Sequence, residues 1–239
     1  DCKAALQATD GDMDKAVDWL REKGLAKAAK KADRIAAEGV AYAAVINGVG
    51  VIIEVNSETD FAAKTDSFMD LVKNLAIVVA EQAPADVDAL KACTFPGTNL
   101  TVTEIMQEKV MSIGENMQIR RFARFAENTS VAYVHAGGSH GVLVNLAVEG
   151  DIDATEIGKN VAMQIAAMNP SYLDEASVPA EVLAKEKGIL IAQMKEDPKM
   201  ANKPEAVLGK IVEGKIGKYY KENCLVEQQY VIDGDLTVG

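Results

Sequence analysis

The chain has 239 residues, 49% hydrophobic and 26% charged, the balance of an ordinary globular protein long enough to bury one large core or two modest ones. Its 36 acidic against 25 basic residues give a formal charge of −11, which argues against a large phosphate-gripping face and so against direct work on RNA. Apolar runs such as Leu75–Ala80 are too short to span a bilayer, and three widely spaced cysteines (Cys2, Cys93, Cys224) fit free thiols in a reducing compartment. No membrane association and no export leader are expected, and the cytoplasm is the expected location.

Asp1–Leu6 reads as the tail of a helix, and Thr9-Asp10-Gly11-Asp12 breaks it and caps the next one. In that next helix Met13, Ala16, Val17 and Leu20 recur at helical spacing, and Gly24 is placed to end it as a left-handed cap. So few apolar residues make too little core to stand alone, so 1–24 are expected to be part of a three-helix, UBA-like module whose beginning is missing. Residues 25–38, rich in Lys and Ala, suit a helical linker.

A β-hairpin follows, Val40–Ile46 and Val49–Val55, turning at Asn47-Gly48. After a loop at Asn56–Asp66 come a helix from about Ser67 to Gln82, a helix around Thr103–Ser112 and a strand Gln118–Phe125. The order then begins again with a hairpin, Val131–His135 and Val142–Val148, and a helix from about Ala154 to Met168. Gly50–Asn56 aligns with Gly141–Ala147 at an offset of 91, and Asn74–Ala80 aligns with Asn160–Ala166 at an offset of 86. The difference of five places extra residues within Ser57–Lys64, and a longer loop holding an acid beside an aromatic reads as a protrusion.

Further on, a helix over Val178–Met194 turns at Glu196-Asp197-Pro198 into another after Pro204, carrying Val207, Leu208, Ile211 and Val212. Cys224–Ile232 reads as a strand, and the chain is expected to be cut short after it. The expected fold is α+β: a core N-half at 39–128, a core C-half at 129–175 and 213–239, and an antiparallel helical hairpin inserted at 176–212.

Little here carries chemistry. His135 and His140 flank the second hairpin turn with no Cys or carboxylate spaced for zinc, and no cysteine sits in a catalytic setting. Neither GxxxxGK[ST] nor a strand-following GxGxxG occurs, so the chain is not expected to hold a nucleotide, another cofactor or a metal, or to be an enzyme. Three features read as surface contacts: Thr59-Asp60-Phe61, the stretch Ile113–Arg121 with its helix-breaking Gly114, and Tyr133-Val134-His135. For Phe61 the alternative is that the ring folds back onto the next helix.

Taken together, these residues resemble the elongation factor Ts family over nearly the whole chain. Asp1–Leu6 is similar to a segment of its N-terminal module, Ala28–Ala32 to its linker, and Glu54–Lys64 to its signature around Thr-Asp-Phe. Gly114-Glu115-Asn116 with Arg120-Arg121, and Tyr133-Val134-His135 with Gly141–Val144, are similar to its next two signatures. Ala62 stands where Val is common, and His140 where an aliphatic residue is usual. The resemblance implies a guanine-nucleotide exchange factor for the translational GTPase elongation factor Tu. It implies that Asp60 and Phe61 enter near the GTPase's magnesium and phosphate site, that Lys3 lies in the module docking on the G domain, and that Ile113, Gly114 and His135 make further contacts. It also places the second half of the core against a more distal domain of the GTPase and leaves room for a homodimer through the helical hairpin. The rival readings are an RNA-binding translation protein, a ubiquitin-binding-like adaptor and, more remotely, an enzyme.

Overall fold

The computed structural model describes residues 2–197 and 203–239; Asp1, in the expected opening helix, and Pro198, in the expected late turn, lie outside them. The architecture is α+β. Two compact units are present, one ending at Ala162 and the other running from Met163 to Gly239.

In the first unit, α1 (Cys2–Ala8) and α2 (Met13–Ala29) are separated by a turn in which the Asp12 carboxylate accepts the Lys15 N–H at 3.1 Å and caps α2. Gly24 does not end this helix. It lies in the interior of α2, where any side chain would run into the Met111 thioether of a later helix, so its smallness serves a helix crossing. Of the expected inner face Ala16 is buried, whereas Met13 and Val17 are exposed. The linker is helical only to Ala29 and continues as turns into a strand.

Strands β1 (Glu38–Ile46) and β2 (Val49–Ser57) form the expected hairpin, with Asn47 at φ 51° and Gly48 at φ 81°, the backbone of a two-residue turn that follows the strands' own twist. Antiparallel β3 (Met117–Phe125) adds to β2, giving the sheet order β1-β2-β3 with a bulge at Glu54/Val55. One helical turn, α3 (Asp60–Ala63), precedes α4 (Asp66–Gln82). Phe68, Leu71, Val72, Leu75, Val78 and Val79 recur at helical spacing along α4 and are almost wholly buried with Val51, Ile53 and Val55 of β2. Each such side chain taken out of water stabilises the fold by roughly 2 kcal/mol before chain entropy is set against it. Helix α5 (Val87–Ala92), which sequence patterning does not reveal, and α6 (Val102–Ile113) complete this core through Leu90, Val102, Ile105 and Val110.

The order hairpin-then-helix recurs in β4 (Thr129–His135), β5 (His140–Leu146) and α7 (Thr155–Met168), and the second hairpin packs on β1 and β2. Gly141 allows this, since a Cβ there would sit 2.8 Å from the Ala41 carbonyl oxygen. The five extra residues of the first half do not form a longer connection. Residues 58–65 and 147–154 are connections of eight residues each, and the difference is taken up by a longer β2 and an earlier start of α4.

The second unit contains α8 (Ala180–Glu196) and α9 (Glu205–Asn223), packed together through Leu190, Met194, Val212 and Ile216. The expected strand at Cys224–Ile232 is not formed. Leu225–Glu227 is a 3-10 turn, and among the described residues the segment makes only single bridges, from Cys224 to Tyr172 and from Gln229 to Thr237. The backbone turns back on itself instead, the Glu227 and Gln228 N–H groups both bonding to the Cys224 carbonyl at 3.1 Å. Gln228 turns fully inward, donates to the Glu222 carbonyl at 3.0 Å and accepts from the Gln164 amide at 3.1 Å. Cys224 is fully buried beside it, its thiol pKa pushed up by that burial, whereas Cys2 is exposed and Cys93 half-buried.

Candidate functional site

The segment after β2 is built from its caps outward. Thr59 is extended, at φ −125°, and its hydroxyl accepts the Ala62 N–H at 3.2 Å, so it caps the single turn α3. Ala62 and Ala63 face inward and are buried, and α3 packs against β1 and β2. With that face committed, Asp60 and Phe61 are left outward, and the Phe61 ring is 80% exposed. The ring does not fold back onto α4. Lys64, one turn on, donates to the Asp60 carboxylate at 2.6 Å, and this hydrogen bond holds the Asp60 pKa below its ordinary value.

The turn is fastened from the far side by the end of α6. Gly114, at φ 90°, closes α6 in the left-handed conformation that glycine adopts without a Cβ penalty, and its N–H bonds to the Val110 carbonyl at 3.0 Å. Both oxygens of the next residue, Glu115, then receive Thr59: the backbone N–H at 3.0 Å and the hydroxyl at 2.7 Å. Reciprocally, the Glu58 carboxylate accepts the Asn116 backbone N–H at 2.6 Å and pairs with Arg34 at 3.5 Å. The buried Asn116 amide donates to the Ala32 and Arg34 carbonyls at 3.2 and 2.7 Å, and Lys31 donates to the Gly114 carbonyl. The bonds to the Glu115 and Glu58 carboxylates are charge-assisted, and such bonds are about twice as strong as neutral ones.

Ile113, half-buried, lines a shallow cleft of about 420 Å³ with Ala62, Thr65 and Glu115. On another side Asp60 and Lys64 border a polar cleft of about 550 Å³ with Glu54, Arg121 and the hairpin tip Ala136–Ser139. His135 is the residue before that tip, with its Nδ1 2.9 Å from the Tyr133 hydroxyl and its ring centroid 6.2 Å from that of His140. Arg120 and Arg121 both pair with Glu54, at 3.5 and 2.7 Å.

Comparison with known proteins fixes the family. The family model for "Elongation factor TS" matches residues 58–239. Elongation factor Ts of Syntrophotalea carbinolica is 48% identical over 242 residues, covering all of this chain and 78% of the relative. Those of Magnetococcus marinus and Halothermothrix orenii are 43% and 45% identical, again over the whole chain and over 78% and 80% of their own lengths. The chain belongs to the elongation factor Ts family.

Of the positions that the resemblance to elongation factor Ts marks, the fold gathers Thr59, Asp60, Phe61, Ile113 and Gly114 at one place, where α3 meets the end of α6. His135 lies at the neighbouring hairpin, adjoining the polar cleft that Asp60 borders. Lys3 is on the exposed side of α1, outside this group. For an elongation factor Ts relative, the residues that sequence reasoning passes over are Glu58, Glu115 and Asn116, which stand within the quoted signatures but draw no notice as ordinary surface polar residues. Their sequence signal is their place within those signatures, with Glu58 directly before Thr59 and Glu115-Asn116 directly after Gly114.

Proposed function

We propose that the chain accelerates release of GDP from elongation factor Tu, acting by protein contact, with the Asp60-Phe61 turn entering near the GTPase's magnesium and phosphate site. The observation that carries this reading is the Phe61 ring, 80% exposed on a turn whose backbone is held on both sides. An exposed aromatic on a fixed scaffold is the make-up of an interface anchor, because little freedom remains to be lost on binding. A nucleotide diphosphate is held largely by magnesium and by backbone N–H groups around its phosphates, so a wedge that displaces those elements removes charge stabilisation from it. By reciprocity, a factor that weakens nucleotide binding is itself weakened by nucleotide to the same degree, and exchange needs no bond chemistry. In this reading Ile113, Gly114, His135 and, through the N-terminal helices, Lys3 supply the surrounding contacts.

The test is the release rate of a fluorescent GDP analogue from elongation factor Tu, with the chain added over a range of concentrations. The intact chain raises that rate, and Phe61→Ala lowers the maximal rate by about tenfold or more, the loss expected of a central aromatic anchor. Asp60→Ala lowers it in the same direction. An equal loss of docking and exchange would show that the turn is only an anchor, and absence of binding to the GTPase would sink the reading.

A further inference from the structure

We infer that Glu115, with Glu58 opposite it, is a positioning residue for exchange: its carboxylate fixes the direction in which Phe61 leaves the surface. This inference rests on the function proposed above. The argument begins with how little α3 has of its own. It is a single turn of four residues, Asp60–Ala63, too short to be stable as a helix, so its orientation is set by what holds its ends. Its C-terminal side is committed through buried Ala62 and Ala63 and through the Thr65 hydroxyl, which donates to the Ala62 carbonyl at 2.8 Å.

The N-terminal side has no apolar anchor. It depends on Thr59, whose carbonyl accepts the hydroxyl of buried Ser57 at 2.9 Å and whose own hydroxyl and N–H are both donated to Glu115 at 2.7 and 3.0 Å. With its proton given to Glu115, the Thr59 hydroxyl oxygen is turned to receive the Ala62 N–H at 3.2 Å, so one carboxylate orients the cap as well as the backbone. Glu115 in turn follows the left-handed Gly114 and precedes Asn116, whose N–H is held by Glu58 at 2.6 Å. Two chain segments more than fifty positions apart therefore hold each other, each through the other's backbone N–H. Removing the Glu115 carboxylate releases the N–H and hydroxyl of Thr59 and leaves the start of α3 on the single Ser57 bond, while Phe61 and Asp60 keep their identity. The effect belongs to the insertion step, where the turn must be ordered, and not to the docking that precedes it.

The experiment uses the full chain in two arms. In the first, GDP release from elongation factor Tu is followed against chain concentration for the parent, Glu115→Ala, Glu115→Gln and Phe61→Ala. Glu115→Ala is expected to lower the maximal rate about tenfold, as for loss of a charge-assisted pair of hydrogen bonds, with the half-saturating concentration changed less than about twofold. Glu115→Gln, which keeps one acceptor oxygen, is expected to recover part of that rate; it also serves if the alanine variant does not fold. In the second arm, Phe61→Trp in a Trp19→Phe background gives an indole whose time-resolved anisotropy reports local freedom in the isolated chain. Its fast component grows when Glu115→Ala is added. Unchanged anisotropy would overturn the positioning role whatever the exchange data show. Loss of rate with Phe61→Ala but not with Glu115→Ala would overturn it while leaving the proposed function standing. Loss with neither variant would overturn the function that the positioning role serves.

Discussion

Gly39 sits at φ 142°, where a side chain is strained, and a Cβ added there would lie 2.6 Å from the Asn56 Cα and run into the Val55 carbonyl. Gly48, at φ 81°, has open space around it. Gly39→Ala is therefore expected to lower stability by about 2 kcal/mol or more, and Gly48→Ala by about 1 kcal/mol, read as shifts of the denaturant midpoint. Asn116 carries a different kind of cost. Its buried amide is the joint between the residues before β1 and the end of α6, and Asn116→Ala leaves the Ala32 and Arg34 carbonyls without that donor. At this scale the sequence is legible where a residue's conformation is special and dim where its partner is distant. Asn47-Gly48 announces its turn, and Thr59-Asp60-Phe61 announces an acid beside an aromatic. Nothing in Glu115 announces Thr59, fifty-six positions earlier, because a surface glutamate has the same letter whether it is solvated or bonded.

The first turns of α2 and α6 are held by side chains that titrate. Thr101 and Glu104 form a reciprocal capping box at the start of α6, and hydrogen bonds from the Thr101 backbone and hydroxyl hold Glu104 below its ordinary pKa. Asp12 at the start of α2 is lowered in the same way, first by the Lys15 backbone N–H and then by its side chain. A carboxylate whose folded pKa is depressed adds stability above its unfolded value and loses that contribution as pH falls through the folded value. The first turns of α2 and α6 are thus expected to lose amide protection as pH drops below about 4, with Glu104→Gln removing most of the pH dependence at α6. Long periodic elements such as α4 are readable because burial repeats every turn. The short α5 escapes because Leu90 is its one buried residue, and the expected stop at Gly24 fails because a glycine needed for a helix crossing looks the same as a glycine that ends a helix.

Taken as a whole, the molecule divides its apolar core unevenly. The first unit is built on the long cluster around α4 and β2, while the helical pair of the second buries Leu190, Met194, Val212 and Ile216 as its own small cluster among the described residues. Part of the second unit's cohesion is polar: Gln164 donates to Gln228 and to the Gln229 carbonyl, and accepts the Val231 N–H at 2.8 Å. Gln164→Ala leaves the buried Gln228 amide and two part-buried backbone groups without these partners and is expected to cost about 2 kcal/mol. Hydrogen exchange is the check: protection falls within 163–239 and holds at Val51 and Val55 of the first unit. The departure from the strand expected at Cys224–Ile232 is not legible either, since a run with β-branched and aromatic residues gives no sign that the chain turns back at Cys224 and buries a glutamine.

The three thiols are graded by the fold, and that grading makes the chain its own reporter. Cys2 is open to a maleimide in the folded state, Cys93 is half-covered, and Cys224 is sealed within the second unit with its thiol kept protonated by burial. Alkylation should therefore proceed in the order of their numbering. The last and slowest label would time the spontaneous opening of the glutamine-bonded unit without any probe having to be installed.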